Sequence, residues 1–309
     1  MANRHTAGCA SAASFMLCAQ PCAAQNRALT LDLDEPIQVE ANGTSLEIAL
    51  DTGGVNRLTL HPQTAAGLEA DRAPAEMYGK GRLRIGLTRI LNGRVRVRDL
   101  TIEGVPYRAR VLWFEGASGG AGDGSVGPFA IPFDHIAIRL GGTSTETYTF
   151  PLIGGFNRAA GARFTHDGGE MLVKFAVEES GDYPVASAAA GAAIAAAYDG
   201  VATGKFWGEH IAFGIYRPVQ LVRLGRPLVI GPFRFDEIAV RVRARVDGSG
   251  SGDQIPPPPR DWDPSGMVVI MLTQKGPPPV FSFRIPRPVL LRWNQLEYIK
   301  SAKEIRLSC

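Results

Sequence analysis

Cysteine is scarce in this chain of 309 residues and lies only near its two ends. Cys9, Cys18 and Cys22 are close to the N-terminus, and Cys309 is the last residue. The body of the chain therefore has no disulfide framework. A thiol enzyme is not expected either, because no cysteine in the body of the chain accompanies a histidine.

Strong charge of one sign and long apolar runs are also lacking. The formal net charge is +3, and the lysines and arginines form no basic tail or stripe, so nucleic acid is not an expected partner. Beyond the N-terminal segment, no stretch approaches the about 18 apolar residues that a membrane-spanning helix needs. With 45% hydrophobic and 20% charged residues, the composition is that of a soluble globular protein of about two domains.

Several common kinds of site are not indicated. The five histidines are isolated and lack the spacing of a zinc site, so no metal is expected. The segment 122–127 has the glycine spacing of dinucleotide-binding loops, but Pro128 and Pro132 prevent the helix that such a loop requires. Trp207, Trp262 and Trp293 could line a cleft, although packing in the core or anchoring of loops is the expected role of each.

The first 24 residues have the features of a signal peptide. Arg4 and His5 give a weakly basic start, a small-residue apolar run continues to Leu17, and the segment ends with Ala23 and Ala24. This order predicts cleavage after Ala24 and a periplasmic or secreted protein. Because the apolar run is Ala-rich and contains polar residues, a disordered cytosolic leader is the alternative.

From Leu29 onward, short runs of alternating apolar and polar residues are separated by Gly, Pro and Asn. The runs are rich in Val, Ile, Phe and Tyr, and this pattern predicts an all-β protein with few short helices. The clearest predicted strands are 45–50, 94–102, 107–114, 136–140 and 147–152. The predicted helices are 62–68, 187–197 and 293–300.

The two halves of the chain resemble one another. Without gaps, residues 46–51 lie over residues 173–178, a shift of 127 residues, and Leu58 then meets Val185. The short helix predicted after Pro62 meets residues 189–195. Such self-similarity predicts two copies of one supersecondary plan.

Later strands extend this repeat. Residues 135–140 and 147–150 resemble residues 267–272 and 280–283 at a slightly different shift. We place the boundary between the copies in the Gly-rich stretch 154–169, where few contacts need cross. Residues 248–259, Gly-Ser followed by four prolines, are predicted to form a long loop within the second half.

The tripeptide Asp51-Thr52-Gly53 follows an apolar strand and precedes a second apolar run at 58–60. In this context the sequence resembles the retropepsin-like and pepsin-like aspartic peptidases, whose catalytic loop is Asp-Thr-Gly after apolar residues. Residues 36–39 and the turn at Asn42-Gly43 resemble the opening hairpin of that family. The resemblance covers most of residues 30–152 and, in weaker form, residues 165–290. The alternative is that Asp51 only caps a turn.

Downstream, Asp123-Gly124-Ser125-Val126-Gly127 resembles the family's Asp-Gly-apolar-apolar-Gly segment, which passes close behind the catalytic loop. Ser125 departs from the apolar pattern. The resemblance implies an all-β, two-lobed aspartic-peptidase-like (acid protease) β-barrel fold of the bacterial type, with an N-terminal lobe at 25–160 and a degenerate C-terminal lobe at 161–309. A substrate-binding cleft would lie between the lobes.

The resemblance also implies roles for particular residues. Asp51 would be the main catalytic carboxylate. The supporting residues would be Thr52, Gly53, Asp123, Gly124 and Gly127. A flap over the substrate would comprise residues 77–97, with Tyr78, Gly79 and Gly81 and with turns at 78–81 and 91–93, although an ordinary exposed hairpin would have the same pattern.

The chemistry of the family explains these residue types. Two carboxylates about 3 Å apart cannot both ionise, so they share a proton, and one acts as a base on water while the other acts as an acid on the peptide carbonyl. The threonine hydroxyl braces the two loops, and glycine permits close backbone approach. The carboxylates and their water suffice, so no metal or organic cofactor is implied.

The second half departs from the family's pattern at the aligned loop, which is Glu178-Glu179-Ser180-Gly181. Glu178 keeps a carboxylate on a side chain one methylene longer, and a misplacement of roughly 1 Å can lower a rate by about 10²-fold. Glu179 replaces the bracing threonine and adds a charge, and Ser180 restricts the backbone.

Three interpretations remain open. In the first, Asp51 and Glu178 form an unequal dyad, and the protein is an aspartic-type endopeptidase acting on peptides or unfolded proteins. In the second, the Asp51 loops of two molecules pair, but the attached second lobe favours a monomer over this homodimer. In the third, the protein is an inactive pseudo-peptidase that binds extended peptides or has a structural role. We favour the first.

Overall fold

The structure is a computed structural model that describes residues 27–69, 78–85, 89–114, 122–155, 158–166, 169–179, 181–213, 215–242 and 281–308. The predicted signal peptide, the predicted loop at 248–259 and the strand predicted at 267–272 lie outside the described residues. The described chain is mostly β-sheet with few short helices, which confirms the all-β prediction. None of its helices is both long enough and apolar enough to cross a membrane.

The strands of the first half are β1 (Ala28–Asp32), β2 (Ile37–Ala41), β3 (Thr44–Leu50), β4 (Leu58–Leu60), β5 (Tyr78–Ile85), β6 (Arg89–Ile102), β7 (Val105–Phe114), β8 (Gly124–Val126), β9 (His135–Arg139) and β10 (Tyr148–Gly155). The strands that follow are β11 (Arg158–His166), β12 (Gly169–Ala176), β13 (Val185–Ala186), β14 (Val201–Ala212), β15 (Ile215–Ile230), β16 (Phe233–Arg241), β17 (Ser282–Pro286), β18 (Gln295–Ile299) and β19 (Glu304–Ser308). The helices are α1 (Pro62–Glu69), α2 (Ala188–Ala197) and α3 (Arg287–Leu290), with one 3₁₀ turn at Pro128–Ala130.

Local sequence explains several of these elements. Asn42 and Gly43 both have positive φ (51° and 75°), which is the backbone that a two-residue hairpin loop requires between β2 and β3. The alanine-rich α2 begins at Ser187, whose hydroxyl accepts a hydrogen bond from the N–H of Ala190 at 3.3 Å. Gly191 of α2 packs so closely on Val240 that an added Cβ would lie 2.2 Å from a Val240 methyl carbon.

The predicted helices at 62–68 and 187–197 are confirmed, but the helix predicted at 293–300 is wrong. Residues Gln295–Ile299 form β18, which is hydrogen-bonded to β9 on one side and β19 on the other. Leu296 and Tyr298 on one face are fully buried, and Glu297 on the other face is also buried, where its carboxylate lies 3.0 Å from His135 Nε2. A strand buried on both faces lacks clear alternation, so its pattern does not distinguish strand from helix.

The strands form two sheets. The seven-stranded sheet has the order β2-β3-β8-β4-β7-β6-β5, and the twelve-stranded sheet has the order β1-β9-β18-β19-β10-β11-β12-β17-β13-β16-β15-β14. The second sheet therefore joins strands from both halves, because β9 pairs with β1 in parallel and with β18 antiparallel. One continuous cluster of buried hydrophobic residues also runs through both halves.

The two halves share the same arrangement of strand pairs. In the first half, β8 lies parallel to β3 and antiparallel to β4, and β4 lies parallel to β7. In the second half, β17 lies parallel to β12 and antiparallel to β13, and β13 lies parallel to β16. A helix follows the short strand in each half, α1 after β4 and α2 after β13, and a long hairpin follows the helix.

The Gly-rich stretch 154–169 is not the sparsely contacted linker that we predict from its composition. Its described residues lie in β10, β11 and β12, and β11 is hydrogen-bonded to both neighbours. The N–H of Ala160 also donates to the carbonyl of Gly54 at 2.9 Å. Glycine here allows strands to pack closely, since a Cβ on Gly161 would lie 2.5 Å from the carbonyl oxygen of Val173.

Candidate active site

The loop at Asp51 is held by backbone hydrogen bonds at the end of β3. The N–H of Asp51 donates to the carbonyl of Val126 in β8 at 2.9 Å, and the N–H of Gly54 donates back to the carbonyl of Asp51 at 2.8 Å. Asp51 is partly exposed, whereas Thr52 is fully buried. The chain therefore turns sharply after the strand and leaves the Asp51 carboxylate accessible.

Glycines permit the close packing behind this turn. A Cβ on Gly54 would lie 2.8 Å from the carbonyl oxygen of Asp51 and 2.9 Å from the Cα of Gly127. A Cβ on Gly127 would lie 2.3 Å from the carbonyl oxygen of Val55, and one on Gly124 would lie 2.2 Å from that of Thr59. The segment at 123–127 thus passes directly against the Asp51 loop, as the resemblance implies.

Asp123 in this segment ties structural elements together. Its carboxylate accepts hydrogen bonds from the N–H of Glu47 in β3 and from the hydroxyl of Thr64 in α1, each at 3.0 Å. Its backbone N–H donates to the carbonyl of Glu47, and its carbonyl accepts from the N–H of His61. Asp123 therefore supports the loop from behind.

Thr52 joins the loop at Asp51 to the second half of the chain. Its hydroxyl makes a close contact with the carbonyl oxygen of Phe175, lies 2.8 Å from Oε2 of Glu178, and lies 3.4 Å from the N–H of Val177. These residues stand 123 to 126 positions away in the sequence. The fold thus brings together the two acidic loops that the gapless repeat aligns.

The contacts of Thr52 bear on the proton of Glu178. A threonine hydroxyl has one hydrogen to donate and can also accept. The carbonyl of Phe175 can only accept, so when the Thr52 hydroxyl donates to it, Glu178 makes a hydrogen bond to the same oxygen only by donating its own proton. When Thr52 instead donates to Oε2 of Glu178, which the 2.8 Å contact also allows, the hydroxyl stabilises the ionised carboxylate.

The surroundings of Glu178 as a whole favour its protonated form. The crowding of protein around the Glu178 carboxylate, followed by the nearby charge of Asp51, raises the pKa of Glu178 to about 8. The side chain is nevertheless exposed at the open side of the loop, so water reaches it and screens part of this effect. The hydrogen bond from Thr52 opposes the upward shift but does not reverse its direction.

Tyr298 is a third support of the loop. Its hydroxyl donates to the carbonyl of Thr52 at 3.0 Å, and its side chain is fully buried. Burial raises the pKa of Tyr298 well above the usual value for tyrosine, so the hydroxyl keeps the proton that it donates. Sequence reasoning misses this residue because it assigns Tyr298 to a helix, and a lone aromatic residue between Glu297 and Ile299 gives no sign of a contact with residue 52.

Two cations lie near Asp51. The side chain of Lys174 packs on Gly53, where an added Cβ would lie 2.9 Å from its Cδ. Burial lowers the pKa of Lys174, while Asp51 and Glu178 oppose that shift. Arg57, in the segment after the loop, has its pKa lowered by burial and by Arg110, and Asp51 again opposes the shift. Neither cation is indicated by the motif.

Glu179, the residue aligned with Thr52, is held by an ion pair. A guanidinium nitrogen of Arg284 makes a close contact with its carboxylate, and the other terminal nitrogen lies 2.9 Å from Glu209. Burial raises the pKa of Glu179 to about 7, although Arg284 opposes this shift. Ser180 lies outside the described residues. The extra charge that we expect beside the dyad is therefore met by a buried arginine (8% exposed).

A cavity of about 320 Å³ lies next to the second acidic loop. A second cavity of similar size, about 330 Å³, contains neither acidic loop in its lining, which is Asp199, Val201, Ala202, Thr203, Arg223, Leu224 and Gly225. Trp293 is a core residue as expected, Trp207 lines the first cavity, and Trp262 lies outside the described residues. The residues that line the first cavity are Gly181, Asp182, Tyr183, Lys205, Trp207 and Glu209.

The predicted flap is a hairpin, but its turn is not where we predict it. Tyr78, Gly79 and Gly81 lie in β5, and residues 91–93 lie opposite in β6, with Gly81 paired to Gly93. Both predicted turns are therefore strand pairs, because glycine and asparagine can be accommodated in a long twisted ribbon. Met77 lies outside the described residues.

The hairpins of the two halves touch. Phe213, between β14 and β15, packs edge-on against Phe114 of β7, with ring centroids 4.8 Å apart. Phe114 belongs to a small buried cluster with Leu91 and Leu112. This contact is separate from the Thr52 contact and is a further contact between the halves.

The described residues thus bring Asp51, Thr52, Gly53 and Glu178 together, with Asp123, Gly124 and Gly127 behind them. No three His, Cys, Asp or Glu side chains within the described ranges are arranged to hold a metal ion. Comparisons with known proteins identify no family: no protein-family model matches the chain, and no curated protein matches its sequence.

Proposed function

We propose that this protein is an aspartic-type peptidase that hydrolyses peptide bonds with Asp51 and Glu178 as an unequal pair of carboxyl groups. The observation that carries the proposal is the 2.8 Å contact between the Thr52 hydroxyl and Oε2 of Glu178. It brings the two acidic loops of the repeat to one place, which is the condition for shared acid and base chemistry.

The two groups have different roles in this proposal. Ionised Asp51 takes a proton from a water molecule, and the water oxygen attacks the carbonyl carbon of the peptide. Glu178 gives its proton to the carbonyl oxygen, which yields a neutral tetrahedral diol. When the C–N bond breaks, Asp51 returns its proton to the leaving nitrogen, and Glu178 takes back a proton from the diol.

The environments of the two groups support this division of roles. The pKa of Glu178 is raised, because protein crowds its carboxylate and the charge of Asp51 lies nearby. Lys174 and Arg57 put two positive charges near Asp51, where they attract a negative carboxylate. Pairs of titratable groups whose surroundings differ in this way are typical of acid and base partners.

The strand pairings shared by the two halves support the two-lobed aspartic-peptidase-like fold, with lobes at 25–160 and 161–309. In that arrangement the substrate is an extended peptide or an unfolded protein, which the β5–β6 hairpin would cover as a flap. The predicted signal peptide supports action in the periplasm or outside the cell.

A monomer fits this proposal better than a homodimer of Asp51 loops. In a homodimer, the loop at Asp51 would face the same loop of a second molecule. Thr52 instead contacts Phe175 and Glu178 of its own chain, so that face is occupied.

One observation favours a second candidate function, a pseudo-peptidase that binds peptides without cleaving them. The second loop lacks a counterpart of the Thr52 hydroxyl, because Glu179 is engaged by Arg284 instead. Only the first loop therefore has a bracing hydroxyl. A misplacement of roughly 1 Å in Glu178 would slow hydrolysis by about 10²-fold.

Cleavage of an unfolded protein by the full chain tests the proposal. We expect the wild-type protein to cleave reduced, carboxymethylated substrate between about pH 4 and 7, where Glu178 keeps its proton. Asp51→Asn should lower the rate at least about 10²-fold. Asp99→Asn, at an exposed position with 84% of its side chain accessible, is the matched control and should keep full activity.

Two results would refute the peptidase. One is the absence of cleavage by wild-type protein that circular dichroism shows to be folded. This result would leave the peptide-binding alternative. The other is equal cleavage by wild-type protein and Asp51→Asn, which would assign the activity to another group or to a contaminant.

A further inference from the structure

The cavity beside the second acidic loop has an aromatic wall. The rings of Tyr183 and Trp207 are inclined to one another at 43°, with centroids 5.6 Å apart. The cavity begins at Gly181, three residues after Glu178, and its volume of about 320 Å³ is at the lower end of the range for ligand pockets. Because its lining residue Glu209 shares Arg284 with Glu179, the cavity lies near the second acidic loop and has the size to take one side chain of a peptide bound there.

A cation already lies on this wall. The ammonium nitrogen of Lys205 is 5.0 Å from the centroid of Tyr183 and 5.6 Å from that of Trp207. Both distances are within the roughly 6 Å at which a cation is attracted to the face of an aromatic ring. Lys205 is exposed and long, so it can leave the rings for solvent at little energetic expense.

Carboxylates complete the chemistry of the cavity. Glu209 lines it, and its Oε2 accepts a hydrogen bond from the indole N–H of Trp207 at 3.0 Å, which fixes the aromatic wall. Arg284 holds the other carboxylate oxygen of Glu209 at 2.9 Å. Exposed Asp182 lies at the rim. When Lys205 leaves, two electron-rich rings and the carboxylates of Asp182 and Glu209 face the space. Arg284 offsets part of the charge of Glu209, and the remaining groups favour a cation over an anion.

We infer that the cavity between Tyr183 and Trp207 binds a basic side chain of the peptide substrate, and that Lys205 occupies the place of this side chain in the free protein. The inference rests on the proposed function for its assignment to a peptide. It names the substrate class: peptides with arginine or lysine at the position that meets the second acidic loop.

Titration of the full-length protein with two small probes tests the binding. The probes are Nα-acetyl-arginine amide and Nα-acetyl-citrulline amide, which have nearly the same shape but differ in charge. The readout is the indole N–H resonance of Trp207 in ¹⁵N spectra, assigned by its loss in Trp207→Phe, with the buried Trp113 and Trp293 as internal references.

We expect the arginine probe to shift the Trp207 resonance in a saturable way and the citrulline probe to leave it nearly unchanged. Lys205→Met should bind the arginine probe about three- to tenfold more tightly, because the competing cation is gone. Equal binding of both probes, no shift at Trp207, or weaker binding by Lys205→Met would each overturn the inference. Tighter binding of Nα-acetyl-glutamate amide would do the same.

Cleavage of matched peptides separates this inference from the proposed function. If the arginine probe binds as described but no peptide is cleaved, the peptidase fails and the cationic site stands. If peptides with arginine and with citrulline are cleaved equally, and Trp207 does not respond, the peptidase stands and the cationic site fails.

Discussion

Glu178 should make the wild-type protein less stable as the pH rises from about 5 to about 8. Replacement of Glu178 with Gln should remove this part of the pH dependence. In the folded protein the pKa of Glu178 is raised from 4.5 to about 8, so the folded state keeps a proton that the unfolded chain releases. The stabilisation is fully present below about pH 4.5 and is lost as the pH rises through the folded value. The amide of the substituted side chain would keep a hydrogen-bond donor near Thr52 at every pH.

The size of the effect follows from the shift and from the exposure of the side chain. If the whole pKa shift acted on stability at about 1.4 kcal/mol per pKa unit, the free energy of unfolding would fall by roughly 5 kcal/mol. Because Glu178 is exposed to solvent, screening reduces the expected difference to about 1–2 kcal/mol. The pKa of Glu179 is raised to about 7, so Glu179 also lowers the free energy of unfolding as the pH rises, but it does so equally in both proteins. The difference between the two proteins therefore isolates Glu178.

Urea unfolding at about pH 5 and pH 8.5 measures this difference. The free energy of unfolding of wild-type protein should fall by about 1–2 kcal/mol more than that of Glu178→Gln over this interval. Glu40→Gln, at an exposed position on β2, is the control and should follow the wild-type protein. An identical fall in wild-type protein and Glu178→Gln would refute the reasoning that Glu178 is held protonated.

Three further substitutions test the supports of the loop. Thr52→Val should lower the free energy of urea unfolding by about 1–3 kcal/mol and abolish cleavage, because it removes the hydroxyl that joins the halves, whereas Thr59→Val should change neither by much. Tyr298→Phe leaves the Thr52 carbonyl without its donor, so we expect a loss of about 1 kcal/mol and a lower kcat at nearly constant KM; an unchanged kcat would contradict the role. Gly54→Ala puts a Cβ within 2.9 Å of backbone atoms and should cost about 1–3 kcal/mol in thermal unfolding. The control is Gly67→Ala in α1, where nothing lies within 4 Å of the new Cβ, and it should be neutral or stabilising by up to about 1 kcal/mol. Equal effects of the two substitutions on thermal unfolding would contradict the role of close packing at Gly54.

The parts of the fold that the sequence predicts are those encoded locally. The apolar alternation of β3 and the Asn42-Gly43 turn specify a hairpin, and Ser187 before an alanine-rich run specifies the start of α2. The gapless repeat aligns Glu178 with Asp51, and the contact of Thr52 with Glu178 follows from that alignment. These signals are short-range or repeated, so a single sequence suffices to detect them.

The parts that escape prediction depend on residues far apart in the chain. Arg284 meets Glu179 across 105 positions and Glu209 across 75, and no local pattern links them. Tyr298 reaches the carbonyl of Thr52 across 246 positions from a strand whose two buried faces hide its alternation. Tertiary packing decides these contacts, and it also decides that Trp207 lines a cavity while it packs against a small buried cluster.

The pairing of β9 with β18 governs what a shortened version of this protein would do. A fragment that ends at residue 160 would retain β9 but lose β18, so the backbone N–H and C=O groups along that side of β9 would face water. Exposed strand edges recruit strands from other molecules, and the isolated fragment would aggregate. The sequence repeat therefore divides the chain into two similar plans, but a fragment for recombinant production should keep β9 and β18 together.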